Sequence, residues 1–449
     1  MHTERDAGLI RAMGPWALGA GAVSMIVGGG IYAAPAALAA GVGSYAPLVF
    51  LGCGIGVGAV AICFAEGGSR VPTSGGIYGL VEAAFGPLTA YIAGTLLWVG
   101  CVLASGAIAA ALADMVASVA TPQLAAPVRV AVIVGVISAL ALVNIGGVER
   151  GARLVAVTTA AKLVPLLLLV IVGAFAVHGA NLTQAVHPDG RALRGALVIG
   201  VFSFIGMETP LCASGEVRDP SRTIPRALAL AMFFTMALYA AIQAVAQGIL
   251  GPALASSRAP LADAMAQIHP GLRVLMLVGA AVSLTGYLAA DLLGTPRQLF
   301  AFGRDGLLPA ALGRLHARSR APHVAIGCYA TLAAALALTG SFAKLAVWST
   351  LTIAALYVAG CMAAWVLARR GVALAGRPLH FRQLTAATFV GMASMLAVIA
   401  LGSRQEIFGL LALIVLSVVI YMVASGWRTS DERKKPPLAE RWGADHPRR

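Results

Sequence analysis

Ser24–Pro35 reads SMIVGGGIYAAP and lies inside an apolar run from Pro15 to Ala40. A helix that only crosses a bilayer has no use for three consecutive glycines followed by a proline at its midpoint. Each interior Gly costs about 0.5–1 kcal/mol against Ala, and Pro removes a backbone donor. The stretch therefore predicts a discontinuous first span. Backbone released from helical pairing at membrane depth must be buried in protein or line a cavity, so the break is expected to face inward. Close packing of small residues between helices, through Gly19, Gly21 and Gly28–Gly30, is the alternative use of the same glycines.

The rest of the chain supports a membrane setting. Of its 449 residues 59% are hydrophobic and 11% charged, and mean hydropathy is +0.87; soluble domains carry about a quarter of their residues charged. Apolar windows of spanning length, roughly 20 residues, recur about twelve times between Pro15 and Gly426. The expected class is an all-α polytopic membrane protein, without a cleaved leader. The formal charge of +14 raises the question of nucleic acid, but its distribution answers it. With the N-terminus in the cytoplasm, the external loops hold seven basic residues (Arg129, Arg191, Arg194, Arg258, Arg273, Lys344, Arg404). Lys162 lies within a span, and the remaining 24 fall on the cytoplasmic side. This asymmetry sets topology, places both termini in the cytoplasm of a cell that carries the protein in its inner or plasma membrane, and makes the basic tail a neighbour of anionic lipid. All six cysteines fall in apolar spans without metal-ligand spacing, so no metal, disulfide framework or cofactor is expected.

A second interruption appears in GALVIGVFSFIGMETPLCASGE, 195–216, with Gly206, Glu208 and Pro210 at mid-depth. Broken helices in corresponding halves are where inverted-repeat transporters hold substrate. At the first break the N–H groups of Gly29, Gly30 and Ile31 would converge at the positive end of a helix dipole and receive a carboxylate, while the carbonyls of Ser24, Ile26 and their neighbours up to Val27 would accept from an ammonium.

The motifs then carry a resemblance. GGGIYAAP is similar to the first-helix motif G-x-G-I-[FVY]-x-x-P of the amino acid–polyamine–organocation permeases. FSFIGMET and ASGEVRDPSRTIPRA within 202–227 resemble their sixth-helix signature, with the arginine/agmatine antiporter branch the closest in motif. TPRQLFAFGRDGLLP, 295–309, resembles the end of their eighth helix, and FAEGGSRVPTSGGIYG, 64–79, the loop after their second. The resemblance implies a leucine-transporter-type fold of five plus five inverted helices with discontinuous helices 1 and 6. The corresponding division is 1–14 (cytoplasmic segment), 15–178 and 195–368 (the two repeats), 384–426 (two added helices) and 427–449 (cytoplasmic basic tail). It also implies substrate carboxylate at Gly28–Gly30, substrate amine near the carbonyls of Phe202, Ser203 and Ile205 beside Phe204, and a gating aromatic at Phe202.

Ionisable residues at membrane depth are expensive and are read first as functional. Lys162, in TTAAKLVPLLLLVIVG, is either a helix-end lysine reaching headgroups or a proton carrier; the resemblance favours the second, because proton-coupled members have a lysine there. Glu208 is a proton acceptor or a structural acceptor for orphan N–H groups. Asp291 is a pocket acid for a cationic side chain, or a partner for Lys162 or a polar helix face. Asp114 is expected at the surface; Ser105, Trp98, Tyr32 and Tyr287 fit pocket and packing alike. Glu216 is a candidate partner for Arg70, Arg222 or Arg304 in an inner gate.

The expectation is a secondary transporter moving an amino acid by alternating access with protons as coupling ion. The alternative is an arginine/agmatine- or polyamine-type exchanger. A membrane enzyme lacks support, since no HExxH or paired-histidine spacing occurs, and a channel suits two broken helices less well than a binding and release cycle. The oligomeric state is left open.

Overall fold

The structure, a computed structural model, describes residues 14–71, 76–118, 120–183, 190–208, 211, 217, 219–374, 378 and 380–427. These residues are helical almost throughout. In chain order the helices are α1 Pro15–Ile26, α2 Gly30–Val42, α3 Ala46–Arg70, α4 Gly76–Phe85, α5 Pro87–Ala117, α6 Pro122–Ile145, α7 Val148–Gly173 and α8 Gly190–Phe202. They continue as α9 Pro220–Leu250, α10 Pro260–Ala266, α11 Pro270–Gly294, α12 Pro296–Arg304, α13 His323–Thr339, α14 Phe342–Arg369, α15 Leu384–Ala400 and α16 Arg404–Trp427. Proline explains many of the starts. Pro15, Pro87, Pro122, Pro220, Pro260, Pro270 and Pro296 each open a helix, where the missing N–H would have had no partner and the fixed φ favours the first turn.

Seven helical stretches among the described residues are long and apolar enough to cross a bilayer: 30–70, 87–117, 122–145, 221–256, 270–304, 342–369 and 404–425. Shorter apolar helices cover 161–176, 323–339 and 384–400. The first of the long stretches bends at Gly43–Tyr45, so α2 and α3 run as separate arms. The apolar run 15–40, continuous as sequence, is divided between α1 and α2 at Val27–Gly29, where the glycine chemistry placed the break.

α3 packs on α9, α5 on α14, α7 on α11 and α2 on α8. The turns that follow α8 lie against the break between α1 and α2. A Cβ at Gly30 would stand 3.0 Å from Ser203 Cα, and one at Gly206 would stand 2.7 Å from the Met25 carbonyl oxygen. Gly206 also has φ +116°, which L side chains rarely adopt. Outside this core, α16 exposes Phe408, Leu411, Val415, Leu416, Val419, Met422 and Val423, an apolar surface fit for hydrocarbon.

Candidate substrate site at the two helix breaks

α1 ends at Ile26 because the chain turns at Val27, whose N–H still bonds Val23 O at 2.7 Å while Gly28 N–H folds back on Ile26 O at 2.7 Å. α2 restarts at Gly30 with no side chain capping its N-terminus. Its first N–H groups therefore lack an intrahelical partner, at the positive end of the helix dipole. Gly28, Gly29, Gly30 and Ile31 are all buried.

The carbonyl end of α1 is already engaged. The Lys162 ammonium, on α7, donates to Ser24 O, and Tyr239 Oη, on α9, donates to Ile26 O at 2.8 Å. Met25 O faces Gly206. Of the carbonyls from Ser24 to Val27 expected to hold an ammonium, two thus have donors and a third is covered. Lys162 is 2% exposed, and its ammonium ends on the helix break, not among headgroups.

At the second expected break α8 ends at Phe202 and turns follow over 203–208. Ser203 N–H bonds Ile199 O, Phe204 N–H bonds Val201 O at 2.9 Å and Ile205 N–H bonds Phe202 O at 3.1 Å. Glu208 closes the turn: its Oε2 accepts from Gly206 N–H at 3.0 Å and from Tyr357 Oη at 2.5 Å. It thus acts as a structural acceptor, for an N–H inside the break itself. Pro210 lies outside the described residues. Phe202 is buried and packs edge-on against Phe342 with ring centroids 5.7 Å apart.

A cavity of about 530 Å³ reaches from the first break to the face where α5 ends and α6 and α11 begin. Gly29, Tyr32 and Ala33 line its inner end together with Ala111, Ala280, Leu284 and Phe342; Asp114, Arg129 and Arg258 stand at its mouth. Arg129 is anchored there by Asp114 Oδ1 at 2.8 Å and by the carbonyls of Ala337 and Gly340 at 2.9 and 3.1 Å. Asp114 is exposed, as expected. Of the sequence candidates, Gly29 and Tyr32 line the cavity directly. Phe202 adjoins it through Phe342. Neither Lys162 nor Glu208 is in its wall.

Asp291 departs from the pocket-acid expectation. It is not in the cavity wall; it is 3% exposed and held among hydroxyls. Ser105 Oγ donates to its Oδ2 and Thr295 Oγ1 to its Oδ1, each at 2.6 Å, and Tyr329 Oη also donates to Oδ2. Trp98 stacks edge-on against Tyr329 at 6.0 Å. Asp291 is thus the partner of a polar helix face, and Ser105 and Trp98 belong to the same packing.

At the opposite end of α3, Arg70 takes a different partner from the one expected. It bonds Glu66 Oε1 through Nε at 2.9 Å and Nη2 at 2.6 Å, with both side chains 1% exposed. Glu66 Oε2 accepts from Phe381 N–H at 3.1 Å, and Arg70 Nη1 donates to Val372 O at 3.0 Å. Arg304 lies against Asp305 and Arg222 near Asp219. Glu216 lies outside the described residues.

Sequence reasoning missed Tyr239, Tyr357 and Phe342, and the cavity wall contributed by 257–262 and 276–284. Mid-span tyrosines in otherwise apolar helices were the available signal for the first two, since a buried phenol needs a partner.

A discontinuous helix with an uncapped N-terminus at the inner end of a cavity, in a bundle of apolar helices, defines a membrane protein built to bind a small ligand. The family profile described as amino acid permease matches residues 13–427. An uncharacterized transporter of Mycobacterium tuberculosis is 36% identical over 324 residues, 70% of each chain. The serine/threonine exchanger SteT of Bacillus subtilis is 27% identical over 381 residues, 82% of this chain and 86% of its own, and the branched-chain amino acid permease BcaP of the same organism is 24% identical over 361 residues, 74% and 76%. The chain belongs to the amino acid permease family. It is a membrane transporter and not an enzyme.

Proposed function

We propose that the protein carries a small amino acid across the cell membrane by alternating access, with a proton on Lys162 as the coupling ion. The observation that carries this is the cavity ending on Gly29, at the uncapped start of α2. There the N–H groups of Gly29, Gly30 and Ile31 receive the substrate carboxylate. Of the carbonyls expected to receive the amine, those of Ser203 and Ile205 are the ones to take it, because Ser24 O, Ile26 O and Phe202 O already have donors. Phe202 and Phe342 close over bound substrate.

The twelve spans of this reading form two inverted five-helix units, 15–178 and 195–368, followed by two added helices over 384–426, with both termini in the cytoplasm. Lys162 bonds the end of α1 in the present packing. A change in its protonation alters that bond and biases the broken helix between two packings; the bias equals the difference in affinity between them.

Exchange of one amino acid for another is the second reading, favoured by the likeness to a chain named as a serine/threonine exchanger. A guanidinium- or polyamine-type cargo has less support, since Asp291 is satisfied by hydroxyls away from the cavity.

Proteoliposomes decide. Net uptake of an amino acid driven by an imposed pH gradient, and lost in Lys162→Ala, is expected. Counterflow indifferent to the gradient, with Lys162→Ala fully active, refutes the coupling role. Trans-stimulation without net uptake selects exchange.

A further inference from the structure

Tyr32, which lines the inner end of the cavity, and Ser283, which lies behind the wall formed by Ala280 and Leu284, each carry a hydroxyl without a hydrogen-bond partner of ordinary geometry. Tyr32 Oη and Ser283 Oγ are both buried and make no hydrogen bond. The two residues are 7% and 0% exposed, and Tyr32 is one of those lining the cavity. The two hydroxyls approach each other without reaching ordinary hydrogen-bond geometry. A buried polar group left unpaired is costly, and the great majority in folded proteins are paired.

Their position explains what would pair them. Tyr32 follows Gly29 by three residues, so α2 presents both on one face, and both line the cavity. Ser283 stands on α11 between Ala280 and Leu284, which line the facing wall. A ligand with its carboxylate on the N–H groups of the break would direct its side chain along this wall. The neighbouring wall residues Ala33, Ala111, Ala280 and Leu284 are apolar and offer no competing partner, and the charged groups Asp114, Arg129 and Arg258 stand at the mouth.

We propose that Tyr32 and Ser283 form a side-chain subsite that selects an amino acid bearing a short hydroxylated side chain. The inference rests on the function proposed above and deepens it to a substrate class. A hydroxyl donates one hydrogen bond and accepts others. Brought up beside the pair from the cavity, a substrate hydroxyl accepts from one protein hydroxyl and donates to the other. An apolar isostere fills the same volume but leaves both protein groups unpaired, which is how a site built for a hydroxyl rejects the analogue lacking it. A cationic or anionic side chain finds no counter-charge in this part of the wall.

Threonine and valine, equal in shape and different by one hydroxyl, are the test pair, with binding to the detergent-purified full chain measured by calorimetry. Wild-type protein is expected to bind threonine at least about tenfold tighter than valine, the scale of a well-made buried hydrogen bond. Tyr32→Phe and Ser283→Ala are each expected to bring that ratio below about threefold. Should one variant fail to fold, the wild-type ratio and the other variant decide. Equal binding of threonine and valine by wild type, or a ratio unchanged in both variants, overturns the subsite and leaves amino acid transport standing. Failure to bind any of the twenty amino acids overturns the transport reading and the subsite with it.

Discussion

The Lys162 ammonium donates to the carbonyl of Ser24, tying the middle of α7 to the last turn of α1. A membrane-buried cation is thereby spent on a backbone oxygen that the helix break has released. Removing the ammonium leaves that oxygen without its donor, at a cost of about 1–3 kcal/mol. In Lys162→Ala, uptake in proteoliposomes is expected to lose its dependence on the pH gradient, while Lys162→Arg keeps the bond to Ser24 but cannot release its proton. Loss of gradient dependence in both, with folded protein in each, separates coupling from structure; gradient-driven uptake in the arginine variant contradicts the assignment.

Gly206 admits no side chain. A Cβ would stand 2.7 Å from the Met25 carbonyl oxygen, on a backbone with φ +116°. Gly206→Ala is expected to destabilise the protein by at least about 2–3 kcal/mol, read as a lowered unfolding temperature in detergent together with loss of substrate binding.

Glu66 and Arg70 make a buried ion pair, each side chain 1% exposed. Breaking such a pair from one side strands a charge and costs about 3–5 kcal/mol. Arg70→Met is therefore expected to unfold at markedly lower temperature than wild type. The double variant Glu66→Gln with Arg70→Met is expected to recover most of that loss, since no lone charge remains.

Arg129 offers a contrast. Its bond to Asp114 is exposed and contributes about 0–1 kcal/mol, whereas its bonds to the Ala337 and Gly340 carbonyls hold the end of α13. Asp114→Asn is expected to be nearly neutral in thermal unfolding, and Arg129→Ala measurably worse, by about 1–2 kcal/mol.

The first break was legible in the sequence because its cause is local: three glycines, Gly28–Gly30, favour it, whereas Pro35, read together with them, sits inside α2. The depth of Lys162 was not: a single charge in an apolar window fitted a lysine reaching headgroups as well as a buried one, and only the family resemblance favoured the second, before its burial was seen. Nor was the engagement of these groups. Lys162 meets Ser24 across 138 positions, Tyr357 meets Glu208 across 149 and Tyr239 meets Ile26 across 213; such pairings follow from how the helices assemble. Asp291 was open between pocket and helix face because its partners Ser105 and Tyr329 come from α5 and α13. Arg70 is the opposite case. Its partner Glu66 stood one helical turn away in the sequence, at the i,i+4 spacing that pairs charges on a helix, and a more distant acid was considered in its place.

The crossing of the two interruptions has a further consequence. Gly30 meets Ser203, and Gly206 meets Met25. The nearest opposing atoms are backbone, Ser203 Cα and the Met25 carbonyl, so no smaller side chain across the contact makes room. A library that randomises Gly30 and Gly206 is expected to return glycine at both, whatever is placed at Ser203 and Met25.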